Sequence, residues 1–160
     1  DSLGNEGRTE AGDVQVMSAG TGVAHSEFNL EDEETRLFQI WIIPDEAGGA
    51  PRWDAKQFPK GERSGKLEVL ASGRDEAILA GALMSRPDAR LSGATLAKGD
   101  SFADRIDPAY AAYLVVSAGS VSVNGVEIGE RDAAAITREP EITITALEDA
   151  EFLIAETRTH

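Results

Sequence analysis

Asp13-Val14-Gln15-Val16-Met17-Ser18-Ala19-Gly20-Thr21-Gly22-Val23-Ala24-His25-Ser26-Glu27 carries three signals in one run. Val14 and Val16 alternate with Asp13 and Gln15, the pattern of a half-buried strand. Gly20 and Gly22 then allow a sharp backbone bend. Beyond the bend stand His25 and Glu27. Side chains at i and i+2 of an extended strand share one face, so imidazole and carboxylate can reach one point together. Such a pair suits a first-row divalent metal. Two donors are fewer than the three or four that a metal site ordinarily takes from protein. Taken alone, a His-x-Glu pair also fits a solvated or core histidine. The other histidine, His160, is the last residue, where chains are commonly loose.

Further along, the apolar residues keep a β character. Leu37-Phe38-Gln39-Ile40-Trp41-Ile42-Ile43 is almost continuously apolar. Its length, β-branched residues and aromatics predict a strand covered on both faces. Residues 44–65 hold Pro44, Gly48, Gly49, Pro51, Pro59 and Gly61, a density that predicts irregular structure and a linker, with Trp53 and Phe58 as anchors. A second β-rich unit starts near Leu67 and Val69. Residues 77–84 are ambiguous by pattern and are expected as strand. Tyr113 to Val116, then Val121 and Val123, then Val126 and Ile128 predict consecutive strands. The Asn124-Gly125 dipeptide between them is a strong hairpin signal, since both positions of a tight hairpin turn need positive φ. Ile142 and Ile144, then Phe152 and Ile154, complete the series. Many short strands without a strong amphipathic helix predict an antiparallel sandwich or barrel.

Composition narrows the function. The chain has 160 residues, with 15 Lys+Arg against 29 Asp+Glu, a net charge of −14. That charge repels phosphate backbones and anionic membranes, so neither nucleic acid nor membrane is an expected partner. The absence of cysteine removes disulfides, thiolate nucleophiles and zinc–thiolate sites. No apolar run approaches the ~20 residues of a membrane span. A cytoplasmic location is expected.

The layout of Gln15-Val16-Met17-Ser18-Ala19-Gly20-Thr21-Gly22, His25-Ser26-Glu27 and then Leu37-Phe38-Gln39-Ile40-Trp41-Ile42 resembles the pirin family of the cupin superfamily. The resemblance is dense over residues 11–53 and diffuse afterwards, although Pro51 and Phe58 also look pirin-like. It implies an all-β, jelly-roll bicupin. Residues 1–53 would be the rear part of an N-terminal cupin, 54–65 a linker and 66–160 a C-terminal cupin. In that family three histidines and a glutamate hold iron or another divalent metal, with Mn, Ni, Co, Cu and Zn as alternatives. His25 and Glu27 match the last histidine and the glutamate, and Glu27 is the expected catalytic base as well as a ligand. The other two histidines belong to a His-x-His pair on an earlier strand. Asp1-Ser2-Leu3-Gly4-Asn5 resembles the hairpin that follows that pair, so the chain reads as a pirin lacking the front half of its N-terminal cupin.

Residues 99–119 have the outline of a first cupin motif, but Arg105 and Asp107 stand near where histidines would fall. The second-motif histidine is also missing around residues 133–138. The C-terminal cupin is therefore expected to be metal-free, with Arg105 and Asp107 as a surface ion pair. Glu31 to Glu34 read as a solvated acidic loop, and Trp41 and Trp53 as core and linker anchors. The resemblance implies a quercetinase-type dioxygenase with a flavonoid substrate in the parent protein, and no activity in this piece alone. The alternative it implies is a metal- or redox-sensing interaction module akin to a transcriptional co-regulator. Unpaired strand edges in the N-terminal part would favour a homodimer.

Overall fold

The computed structural model describes residues 1–159. His160 lies outside them. The fold is all-β apart from one short helix and one 3-10 turn. Near the N-terminus, β1 (Val14–Ser18) and β2 (Arg52–Lys56) form an antiparallel ribbon, with Val14 opposite Lys56 and Ser18 opposite Arg52. The remainder is a two-sheet sandwich. Its strands are β3 (Glu68–Ser72), β4 (Leu83–Met84), β5 (Ala89–Leu96), β6 (Ser101–Arg105), β7 (Tyr110–Ala118), β8 (Val121–Val123), β9 (Val126–Ile128), β10 (Ala133–Ile136), β11 (Glu141–Ala146) and β12 (Ala150–Arg158). One sheet has the order β10-β7-β12-β5-β3-β4 and the other β6-β11-β8-β9.

Two-residue periodicity builds the core between these sheets. β12 alternates strictly, burying Ala150, Phe152, Ile154 and Glu156 while the residues between them are half-exposed. β11 does the same with Ile142, Ile144 and Ala146. These side chains meet Leu114, Val116, Val121 and Leu96 in one continuous apolar cluster. Each fully buried Ile or Phe contributes roughly 1.5–3 kcal/mol over the exposed state. The Phe102 ring stacks on Phe152 with centroids 6.1 Å apart, joining the two layers. At the β8–β9 hairpin Asn124 has φ 48° and Gly125 φ 84°, the doubly left-handed turn expected of Asn-Gly.

A smaller apolar cluster covers the outer face of the six-stranded sheet. Phe58, Leu70, Ala71 and Leu83 form it, and Val14, Val16, Leu91 and Leu153 pack against it. The apolar side of β1 is therefore covered by the second unit. Arg63, only 2% exposed, lies in the same layer. A Cβ on Gly93 would come within 2.6 Å of its Nη1, so the glycine makes room for the guanidinium.

Three expectations are corrected. Residues 37–43 form no strand. Leu37 is 62% exposed, Trp41 86% and Ile43 90%. A continuously apolar strand is stable only with pairing strands and covering layers on both faces, and neither is present here. Trp41 is thus not a core residue. The span 77–84 is not one strand. It lies across the end of helix α1 (Asp75–Leu79), a reversal at Gly81 with φ 104°, and β4. Asp75 and Glu76 in the first turn favour the helix through its dipole. Finally, residues 44–65 are not wholly irregular. They contain β2 and a 3-10 turn, Lys60–Arg63, entered from Pro59.

Candidate metal centre

The approach to His25 is well defined. After β1 the chain reverses through Gly20 (φ 56°) and Gly22 (φ 126°). Gly22 N–H donates to the Ala19 carbonyl at 2.8 Å, closing the turn. Thr21 N–H donates to the Gly49 carbonyl at 2.9 Å, tying the turn to the segment that leads into β2. A Cβ on Gly20 would sit 2.3 Å from that carbonyl oxygen, so no other residue fits there without displacement.

The N-terminal residues hold the other side. Asp1 Oδ1 accepts from the backbone of Leu3 and Asn5, and Asn5 Nδ2 donates to Asp1 Oδ2 at 2.8 Å. From this closed turn, Ser2 N–H donates to the Ala24 carbonyl at 2.7 Å, and Ala24 N–H donates to Ser2 Oγ at 3.0 Å. The residue before His25 is thus fixed on both of its polar backbone groups.

His25 and Glu27 themselves are exposed and lie in irregular backbone. Among the described residues, no group of three or more His, Asp or Glu side chains gathers to hold a metal. The donor chemistry of His25 and Glu27 fits a divalent metal; the donor count provided by the described residues does not. No chemical step through an ion is derived from this geometry.

The acidic run beyond them is solvated but not free. Arg8 pairs with Glu31, and Arg36 with Glu34 at 2.5 Å. The hydrogen bond from Arg36 holds the Glu34 carboxyl below the usual carboxylate range, and the Arg36 charge adds to it. Asn29 Oδ1 accepts from Glu31 N–H and Thr35 Oγ1. Trp53 fulfils its anchoring expectation: its ring lies against Gly7 and its indole N–H donates to Gln15 Oε1 at 3.3 Å.

The C-terminal sandwich differs from expectation at Arg105. Its Nε faces Glu141 Oε2 at 3.7 Å, across the β6–β11 pairing. Asp107 lies past the end of β6 and instead accepts from Ala109 N–H at 2.8 Å. Arg105 and Asp107 fail to pair because the strand ends between them. Both line an open depression of about 510 Å³ with Ile106, Pro108, Pro140 and Glu141. Neither this depression nor a smaller one of about 260 Å³ at Gly48, Gly49 and Arg86 includes His25 or Glu27.

Two polar groupings were not visible to sequence reasoning. One surrounds Asp88. Tyr110 donates to Asp88 Oδ2 at 2.5 Å, Arg74 Nε to Oδ1 at 3.4 Å and Arg158 Nη1 to Oδ2 at 3.4 Å. The Arg74 guanidinium lies 4.3 Å from the centre of the Tyr110 ring. The tyrosine hydrogen bond, with help from the two arginines, pulls the Asp88 carboxyl below its ordinary value, and the same bond raises the Tyr110 phenol. The Asp88 backbone N–H donates to Asp45 Oδ2 at 2.7 Å, so the cluster also pins the segment before β2. The second grouping joins Arg90, Asp104 and Glu156 inside the sandwich. In both, the partners are 14 or more residues apart in sequence; only the second has a local sign, an ionic residue at an inward position of a strand.

Comparison with known proteins agrees with this architecture. The family model described as the quercetinase C-terminal cupin domain matches residues 69–157, and the model described as pirin matches residues 1–42. The chain belongs to the pirin family. A pirin-like protein of Caulobacter vibrioides is 56% identical over 156 residues, covering 98% of this chain and 66% of that protein. A quercetin 2,3-dioxygenase of Escherichia coli is 37% identical, covering 96% of this chain and 64% of the enzyme. The chain therefore spans slightly less than two thirds of these pirin relatives. A crystal structure of a bacterial pirin from Escherichia coli in complex with nickel(II) superimposes with a TM-score of 0.84 at 30% identity, covering 99% of this chain and 66% of that one.

Proposed function

We propose that this pirin chain is part of a metal-dependent, quercetinase-type dioxygenase, with His25 and Glu27 as two of the metal ligands. The supporting observation is the double anchoring of the His-x-Glu motif: the Gly20–Gly22 turn is tied to Gly49, and Ala24 is bonded on both sides to Ser2. This fixes the path of the backbone up to the motif. A pirin relative crystallised with nickel(II) and another named quercetin 2,3-dioxygenase support a divalent metal and a flavonoid-type substrate. Iron is the metal we favour. In this reading Glu27 also accepts the proton of the flavonol hydroxyl, since a carboxylate beside a bound phenolic hydroxyl can serve as general base. The metal would supply the binding of flavonol and dioxygen.

With two donors, this chain alone is expected to bind metal weakly and not to turn over. The domain division at residues 53 and 65 belongs to the same proposal. Isothermal titration with Fe(II), Mn(II), Ni(II) and Co(II), together with quercetin consumption by the chain and by its full-length pirin form, tests the reading. Metal-dependent turnover by the full-length form, lost in His25→Ala and Glu27→Gln, is the expected result. Unchanged metal content and turnover in both variants would exclude these residues as ligands.

A further inference from the structure

Residues 45–50 are gripped from the sandwich side by the loop between β4 and β5. Arg86 in that loop donates from Nη1 to the Gly48 carbonyl at 2.5 Å and from Nη2 to the Ala50 carbonyl. Two positions along, Asp88 N–H donates to Asp45 Oδ2 at 2.7 Å. A guanidinium carries its donors in a rigid fork, so two bonds from one group fix direction as well as distance. Gly49 lies between the two carbonyls that Arg86 holds. It has φ 81°, and a Cβ there would lie 2.7 Å from Arg86 Nη1. Arg86 is exposed, and among the described residues it makes no ion pair. Its place is therefore explained neither by core packing nor by a surface salt bridge.

The other side of the same segment faces the turn that leads to His25. The Gly49 carbonyl accepts from Thr21 N–H at 2.9 Å. Gly20 crosses so closely that a Cβ on it would sit 2.3 Å from that oxygen and 3.0 Å from the Ala50 carbonyl carbon. The carbonyls of Gly48, Gly49 and Ala50 are thus taken in turn by Arg86, Thr21 and Arg86. The β1–β2 pairing ends at Ser18 opposite Arg52. Past that point, the described hydrogen bonds from residues 19–27 to the rest of the chain go to Gly49 and to Ser2. Of these two, Gly49 is the one that connects to the sandwich.

We propose that Arg86 is a positioning residue for the His25–Glu27 segment, through which the C-terminal cupin sets the path of the chain into that motif. Arg86 holds residues 48–50, those residues hold the Gly20–Gly22 turn, and the turn delivers His25. The consequence for metal binding rests on the dioxygenase reading above; the clamp itself does not.

Amide hydrogen exchange, followed by NMR in the 160-residue chain, tests the clamp. Arg86→Met keeps the aliphatic stem and removes the donors. Thr21 N–H should then exchange about 10-fold faster, while the Phe152 and Ile154 amides keep their wild-type rates. Arg86→Lys, with one donor centre in place of a fork, should fall between. Equal Thr21 exchange in wild type and Arg86→Met would overturn the proposal, and so would the same acceleration in the core amides. In the full-length pirin form, titration with Ni(II) should show several-fold weaker binding in Arg86→Met and partial recovery in Arg86→Lys. Wild-type Ni(II) affinity in Arg86→Met would also overturn it. A full-length wild type that takes up no Ni(II) would defeat the metal reading instead, and the exchange rates alone would then decide the clamp.

Discussion

Residues 37–43 and strand β7 are alike as sequence and opposite in structure. Both are short runs rich in aliphatic and aromatic residues. In β7, Leu114 and Val116 are fully buried, because β10 and β12 pair on either side and the second sheet covers the inner face. In residues 37–43, Trp41 and Ile43 are at least 86% exposed and no strand forms. The difference teaches that an apolar run is a demand for partners, not a strand in itself. Strand pairing satisfies the backbone groups and the opposite sheet removes the side chains from water; one without the other leaves irregular chain.

The contrast can be broken by mutation. Phe152 is fully buried and stacked on Phe102, so Phe152→Ala should cost about 3–5 kcal/mol in urea denaturation. A loss below about 1 kcal/mol would show that the sandwich core is not what stabilises the chain. Next comes Gly119→Ala. This glycine has φ 70°, and a Cβ there would lie 2.1 Å from the Asp149 carbonyl oxygen. A penalty of about 1–3 kcal/mol is expected, read as a lower denaturation midpoint at unchanged slope.

Tyr110→Phe probes the Asp88 cluster, which ties the segment before β2 to the sandwich. Losing the bond to a charged acceptor should cost about 1–2 kcal/mol at neutral pH. The pH dependence has a definite sign. Asp88 is held below its ordinary carboxylate value, so its contribution is present above about pH 4 and is lost as pH falls through the lowered folded value. Tyr110 is raised, so its contribution is present below about pH 10 and is lost as pH climbs through the raised value. The variant should therefore differ most from wild type at neutral pH and converge with it in strong acid. A constant difference down to full protonation would disprove the assignment.

The smallest stability effect belongs to the other side of the comparison. Trp41→Ser should change stability by no more than about 0.5 kcal/mol, because the side chain is already in water. Its effect should appear in association. An exposed, uncharged β-prone run pairs readily with another copy, so light scattering should show a self-associating wild type and a more monomeric variant. A wild type that stays monomeric at high concentration would refute pairing through residues 37–43.

Much of the sandwich was legible in advance for a physical reason. Strict alternation in Glu141–Ala146 and Ala150–Arg158 has one apolar face, and the Asn124-Gly125 turn has few backbone options. Such signals are local and survive any context. The helix Asp75–Leu79 was less legible, because its five residues carry no core stripe: Leu79 is 89% exposed. The His25-x-Glu27 motif could be read as metal-type chemistry, while its surroundings could not. The hydrogen bonds that fix Ala24 are made with Ser2, and the one that ties the preceding turn to the rest of the chain is made with Gly49.

By itself, then, the sequence determined that this chain is all-β, that it sets a histidine and a glutamate two residues apart beyond a Gly-x-Gly turn, and that its 160 residues hold no thiol. These follow from residue type and spacing. Only the tertiary structure decided which apolar runs became strands, that Arg105 meets Glu141 and not Asp107, and that Arg90 sits between two carboxylates from opposite sheets. Those outcomes depend on pairing register and on which layer covers which, and such long-range contacts are created by folding between residues that have no sequence relation to one another.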